Sequence, residues 1–313
     1  IADNKNRNVE YDNWQKLNVI LEEVQKNYVD TVDVEKMTDA AVVAALSKLD
    51  PHSVYLPPTE LEASETELAG NFDGIGIQFN VPNDTAMILE VIPGGPAEKA
   101  GLLQGDRLIM IDDTVIAGVK FPQDSMVARM KGPSGTKVKV TVSRNKELIP
   151  FEVTRGKIPV HCVEASFMID DTTGYIRLAK FTRTTNQEVT LASMTLMAQG
   201  MKRLVFDLRD NSGGYFDQAL ALADMFLKRG DGIVYLQGQN RDREEYRASG
   251  RGVMKDIELL VLINETSASS SEIFAGAIQD NDRGVIVGRR SYGKGMVQEP
   301  INFTDGSGIR ITV

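Results

Sequence analysis

"RLVFDLRDNSGGYFDQALALADMFLK", Arg203 to Lys228, joins two periodicities across one turn. "RLVFDLRD" is an apolar run of strand length. "NSGG" is a turn signal, and "YFDQALALADMFLK" spaces its apolar residues for one face of a helix. The same unit recurs on either side. Upstream, "TGYIRLAKF" (Thr173 to Phe181) reads as a strand and "NQEVTLASMTLMAQG" (Asn186 to Gly200) as a helix. Downstream, "LLVLINE" (Leu259 to Glu265), "SSEIFAGAIQDN" (Ser270 to Asn281) and "GVIVGRRS" (Gly284 to Ser291) read as strand, helix and strand. Alternation of this kind predicts an α/β layer with helices packed on a sheet.

The texture differs outside that region. "WQKLNVILEEVQKNYV" (Trp14 to Val29) places Trp14, Leu17, Ile20, Leu21, Val24 and Tyr28 at helical spacing, and "MTDAAVVAALSKL" (Met37 to Leu49) continues helically. From Gly74 to Arg155 the chain turns to short strands. "GIGIQFNV" and "AMILEVI" flank the turn "PND". "PGGPAEKAGLLQGDRLIMIDD" carries one short helix at Pro96 to Ala100, and "TKVKVTVSR" alternates as a half-buried strand does. The expected division is an N-terminal helical region over 1–70, a compact module over 71–156 and an α/β core over 157–313, a mixed α/β chain as a whole. "GSGIRITV" stops in mid-strand pattern, which predicts that the natural chain continues.

Composition excludes several classes. The 313 residues carry 35 basic and 44 acidic side chains, a net charge of −9, and no basic block, so nucleic acid is a poor partner. The longest apolar run, "IELLVLI" (Ile257 to Ile263), is far short of the ~18 residues that span a bilayer. The polar start "IADNKNRNVE" does not resemble a signal peptide. One cysteine, Cys162, excludes an internal disulfide and leaves the compartment open. Only His52 and His161 are histidines, and neither has metal-ligand spacing, so a catalytic zinc site with several histidine ligands is not expected. A Ser-His-Asp triad has almost nothing to draw on. His52, His161 and Cys162 read as loop or packing residues, and the 12 methionines as core filler.

Three stretches carry chemistry. The glycines of "DLRDNSGG" (Asp207 to Gly214) let a backbone approach a ligand and aim N–H groups at an anion, and they serve a plain tight turn equally well. Asp207 and Arg209 fit a brace for that turn or a surface salt bridge. In "NETSASSSEIFAG" (Asn264 to Gly276), Ser269 and Glu272 match a capping box, and a serine at a helix start also lies where N–H groups favour a tetrahedral oxyanion. In "VGRRSYGKGMVQEP" (Val287 to Pro300), Lys294 stands between two glycines. A lysine buried there would lose its charge and become a competent base, and Ser-Lys pairs need no histidine.

Taken in order, "DPHSVYL", "GIGIQF", "PAEKAGLLQGDRL", "DLRDNSGG", "SASSSEIFAGAIQDN" and "VGRRSYGKGMVQ" resemble the carboxyl-terminal processing proteases, the tail-specific, PDZ-containing Ser-Lys peptidases of family S41. The resemblance implies an inserted PDZ domain and a crotonase- or ClpP-like α/β protease core. It puts the nucleophile on Ser269, the base on Lys294 and a lysine-orienting glutamine on Gln298. The oxyanion donors fall on backbone N–H groups of Gly213 or Gly214 and of Ser270. Two positions depart from the pattern. Ser270 stands where alanine is frequent and is expected to act only through its backbone. Ser212 stands where proline is frequent and is expected to loosen the oxyanion turn.

"GIGIQF" also resembles a PDZ carboxylate-binding loop. Amides around Ile75, Gly76 and Ile77 can cradle a chain-terminal carboxylate while an edge strand adds the peptide. The expected function is therefore a serine endopeptidase cleaving proteins near their C-termini, with protein or peptide substrates as partners and no cofactor. The resemblance implies a periplasmic or otherwise extracytoplasmic location. The N-terminal helices fit either self-association or packing on the core. The rivals are an idle PDZ adaptor, which has no need of the full Ser269, Lys294 and Gln298 set, and a small-molecule amidase, which has no need of a PDZ module.

Overall fold

The computed structural model describes Asp12, residues 15–239 and residues 241–313. The expected helical position Trp14 lies outside the described residues. In the N-terminal part, α1 (Gln15–Asn27) and α2 (Val34–Leu46) are followed by β1 (Val54–Leu56) and α3 (Pro58–Ala69). Asp33 starts α2 by accepting the Lys36 N–H at 3.1 Å, an N-cap that satisfies one orphan amide. Pro58 opens α3 at a position where its missing N–H costs nothing.

Next come β2 (Asn71–Gly74), β3 (Ile77–Asn80), β4 (Met87–Val91), α4 (Pro96–Ala100), β5 (Arg107–Ile111), β6 (Thr114–Val115), α5 (Gln123–Met130), β7 (Lys137–Arg144) and β8 (Glu147–Thr154). The sheet runs β3-β4-β5-β7-β8, so β3 is an edge strand. Ile88, Leu108, Ile111, Met126, Val138, Val140, Val142 and Val153 fill its core. Alternation in β7 has the expected consequence, with Val138, Val140 and Val142 inward and Lys137 and Lys139 outward. Asp106 is buried, and Arg144 grips it with two bonds of 2.7 Å.

β9 (Gly156–Pro159) pairs antiparallel with β2, so a two-stranded ribbon carries this module. Then follow β10 (Val163–Met168), β11 (Thr173–Leu178), α6 (Thr185–Ala198), β12 (Arg203–Asp207), α7 (Phe216–Asp224), β13 (Gly232–Gly238), β14 (Arg241–Arg247), β15 (Glu258–Ile263), α8 (Ser270–Asp280) and β16 (Val285–Gly288). The main sheet runs β10-β11-β12-β15-β16. β11, β12, β15 and β16 are parallel, and β10 is antiparallel. Phe206 of β12, Phe226 and Phe274 of α8 meet with ring centroids 5.2 to 6.3 Å apart at the centre of a second core. The α/β layer expected from the alternation is present.

The chain ends with β17 (Gln298–Asn302) and β18 (Gly308–Thr312). β18 pairs with β1, in the order β1-β18-β17, and residues 296–313 form one compact unit with the N-terminal residues up to Ala63. Residues 64–295 form the other. The fastening is polar. Asp50 accepts the His52 and Ser53 N–H groups and the Ser53 hydroxyl, and Thr312 donates its hydroxyl to Asp50 at 3.1 Å and its N–H to Ser53 Oγ at 3.1 Å. Among the described residues no helix is long and apolar enough to cross a membrane.

Candidate active site

β12 and β15 are parallel neighbours, with Asp207 opposite Leu262, so the turns that follow them leave the same edge of the sheet. Ligand sites of open parallel sheets form at these carboxyl ends. The first turn is 208–215 and the second is 264–269. Side chains of the second turn and of the start of α8 fasten to carbonyls of the first. Ser267 Oγ donates to Leu208 O (2.7 Å), Ser271 Oγ to Asn211 O (2.9 Å) and Ser270 Oγ to Gly214 O (3.0 Å). The Ala268 N–H adds a bond to Asn211 O at 3.1 Å. Ser267, Ser270 and Ser271 are buried, and Ser269 is half-buried. The expectation that Ser270 acts only through its backbone is therefore corrected, because its hydroxyl holds the glycine turn.

Ser269 sits at φ 54°, ψ −112°, a conformation that a residue with a Cβ avoids. Such strain costs on the order of 1–3 kcal/mol and persists only where the surroundings impose it. Glu272 imposes part of it, its Oε2 accepting the Ser269 N–H at 2.8 Å. That contact is the glutamate half of the expected capping box.

The two glycines fit where no other residue does. A Cβ on Gly213 would lie 2.8 Å from Ala268 O and 3.0 Å from Ser269 Cβ and Ser270 N. A Cβ on Gly214 would lie 2.0 Å from Phe181 O. The amides differ in use. Asn211, fully buried, accepts the Gly213 N–H on Oδ1 at 2.9 Å and donates from Nδ2 to Leu178 O at 2.8 Å. The Gly213 N–H is thus occupied. Among the described residues, the N–H groups of Gly214 and Ser270 have no hydrogen-bond partner. Ser212 is exposed, and the turn is held around it by Asn211.

Asp207 is a buried brace, which decides between the two readings of that residue. Tyr175 donates its hydroxyl to Oδ2 at 2.6 Å, and Arg209 reaches the carboxylate through Nε at 3.0 Å and Nη2 at 2.6 Å. Burial alone would raise the Asp207 carboxyl. The hydrogen bonds from Arg209 and Tyr175 outweigh it and hold the group below the usual carboxylate range. Cys162 is buried, which pushes its thiol up, and its N–H rests on Glu188, so it packs as expected.

Lys294 lies in the segment between β16 and β17 and is half-buried, less enclosed than the sequence suggested. Its backbone N–H donates to Glu272 Oε2 at 2.9 Å. Gln298 belongs to the other compact unit, where it opens β17 and donates from Nε2 to Thr312 Oγ1 at 3.3 Å.

In the inserted module, Gly76 takes φ 78°, and a Cβ there would meet Ile158 Cδ1 at 2.9 Å. The carbonyls of Ile75 and Gly76 accept the Ala97 and Ile92 N–H groups, which fixes the loop. Among the described residues the N–H groups of Ile75 and Gly76 have no partner, and Ile77 begins the edge strand β3.

Comparison with known proteins gives the family of the chain. The profile of Peptidase family S41 matches residues 172–313, and that of the PDZ domain matches residues 74–154. The carboxy-terminal processing protease CtpA of Bacillus subtilis (strain 168) is 32% identical over 303 residues, a match covering 96% of this chain and 64% of that protein. A solved structure of a photosystem II D1 C-terminal processing protease shares 30% identity with a TM-score of 0.51, covering 94% of this chain and 80% of that one. The chain belongs to peptidase family S41. It spans 64% of the length of its Bacillus relative.

Three features of this S41 chain were not read from its sequence. Asn211 organises both turns from inside, the Ser270 hydroxyl staples them, and Glu272 reaches the lysine segment. Helix spacing signals only the glutamate's capping role. Its other bonds go to residues 19 to 22 positions away, which no local pattern reveals.

Proposed function

We propose that this S41 chain is a serine endopeptidase that cleaves proteins near their C-termini. Ser269 Oγ attacks the scissile carbonyl carbon and passes its proton to the neutral amine of Lys294. The tetrahedral oxyanion is received by the N–H groups of Gly214 and Ser270, each worth about 3 kcal/mol at the transition state. Lys294 then returns the proton to the departing amine, leaving an acyl ester on Ser269. Water attacks the ester with Lys294 again taking the proton, and serine is regenerated. Gly213 takes no direct part, since its N–H is already given to Asn211.

The observation that carries the reading is the strained Ser269 beside two N–H groups left open by their surroundings. An idle adaptor has no use for that strain. The PDZ module supports the substrate class. Open amides at Ile75 and Gly76 suit a terminal carboxylate, and β3 offers an edge to the tail. The photosystem II D1 relative, a C-terminal processing protease, has an activity of the same kind. An extracytoplasmic location belongs to the proposal, and cell fractionation tests it. Helix α1 buries no side chain and exposes Leu17 and Ile20, which favours self-association as its use. Sedimentation of Leu17→Glu against the parent tests that point.

The deciding experiment compares the parent with Ser269→Ala and Lys294→Ala on an unstructured protein with a free carboxyl tail. Each variant should lose at least about 10³-fold in kcat. If both cleave as fast as the parent, the dyad is wrong. Amidating the tail should raise KM with kcat little changed, and an unaltered KM would count against the PDZ part.

A further inference from the structure

Residues 289–295, which carry Lys294, form neither helix nor strand. Among the described residues two backbone hydrogen bonds tie this segment to the rest, Arg289 N–H to Ile263 O (3.3 Å) and Tyr292 N–H to Ser267 O (3.0 Å). Neither lies at the lysine. Glu265 holds the Arg289 guanidinium at the start of the segment, and Glu272 holds the backbone around the lysine. Glu272 Oε1 accepts the Ser291 hydroxyl at 2.7 Å and the Gly293 N–H at 2.6 Å. Its Oε2 accepts the Lys294 N–H at 2.9 Å and the Ser269 N–H at 2.8 Å.

We infer that Glu272 is the positioning residue of the Ser269–Lys294 pair. A single carboxylate joins the backbone of the nucleophile to the backbone of the base and so fixes the distance between them. The inference rests on the Ser-Lys reading above. Capping α8 needs one of the four bonds, and the other three have no purpose in the helix. Saturation by four donors also matters chemically. A bare carboxylate beside Lys294 would favour the ammonium, the wrong form for a base, and donors on both oxygens disperse that charge. Serine at 291 and glycine at 293 fit the same purpose. The first supplies a hydroxyl, and the second turns at φ 90° to bring its N–H and the next one onto one carboxylate.

Two conservative variants test this on the full chain. Glu272→Asp keeps the charge and suits a first helical turn, but is one methylene too short to span both backbones. Glu272→Gln keeps the length and sets an amide N–H₂ against groups that donate. Both should fold, checked by thermal unfolding. On the unstructured free-tail substrate, kcat should fall by about 10²-fold for the aspartate variant, the usual cost of a misplacement near 1 Å, with KM unchanged. Its rate should also need higher pH to reach half its maximum, because a loosened lysine regains water and its ammonium is favoured. The glutamine variant should lose kcat by about tenfold or more with KM unchanged. If kcat of both variants stays within about twofold of the parent, or if the aspartate variant loses rate with its pH profile unmoved, the inference fails. Lys294→Ala, measured alongside, separates the two failures. Parent-like activity there sinks the dyad itself, whereas inactivity there with active Glu272 variants sinks only the clamp.

Discussion

The Ser270 hydroxyl donates to the Gly214 carbonyl at 3.0 Å, so the residue proposed to lend an amide to the oxyanion also grips the turn proposed to lend the other. Ser270→Ala should cost about 1 kcal/mol of stability, the usual net worth of such a bond, read as a lower urea midpoint at unchanged m-value. It should also lower kcat more than KM, and a parent-like kcat would limit the hydroxyl to packing. Asp207 makes a pH prediction. Its folded carboxyl is depressed, so its contribution is complete above the ordinary carboxylate pKa near about 4 and is lost as pH falls through the lower folded value. Stability measured between neutral and acid pH should fall more steeply in the parent than in Asp207→Asn, and equal slopes would refute the brace. At this scale the sequence was only partly legible. "SASSSE" and "SGG" announced themselves by residue type. Asn211 did not, because nothing in one sequence tells a buried asparagine from a turn asparagine.

Strand, turn and helix in "RLVFDLRDNSGG" and "LLVLINETSASSSE" were readable because each element declares its own period locally. Strand β18 was readable as a strand but not as to partner. Its pairing with β1 depends on Asp50, Ser53 and Thr312 meeting from opposite ends of the chain, and no local pattern encodes that. The loop ahead of β3 shows the opposite case. There the glycine that the sequence flagged is one that geometry demands. Gly76→Ala would place a methyl 2.9 Å from Ile158 Cδ1 at a backbone φ of 78°. It should therefore distort the amides at Ile75 and Ile77 and raise KM for a free tail, leaving kcat nearly unchanged. A kcat loss at constant KM would place the role of the loop elsewhere.

Among the described residues two hydrophobic cores share no residue, one inside the PDZ module and one under the α/β sheet. A two-stranded ribbon, β2 with β9, connects the module, and Gly74 and Gly156 face each other at its end. Cooperativity follows shared burial, so the PDZ core should melt as its own unit rather than with the peptidase core. Ligand linkage makes that separable. On the proposed tail-binding reading, a peptide that ends in a free carboxylate binds only the folded module, and at 100 times its Kd it stabilises that module by about 2.7 kcal/mol. For a domain of this size that is a shift on the order of 10 °C in one calorimetric transition, with the peptidase transition unmoved. The amidated peptide should move neither, because without a carboxylate the open amides of Ile75 and Gly76 gain no charged partner. If both transitions rise together with the free-carboxylate peptide, the two cores are energetically one, and tail binding is coupled to the Ser269 site rather than simply tethered beside it.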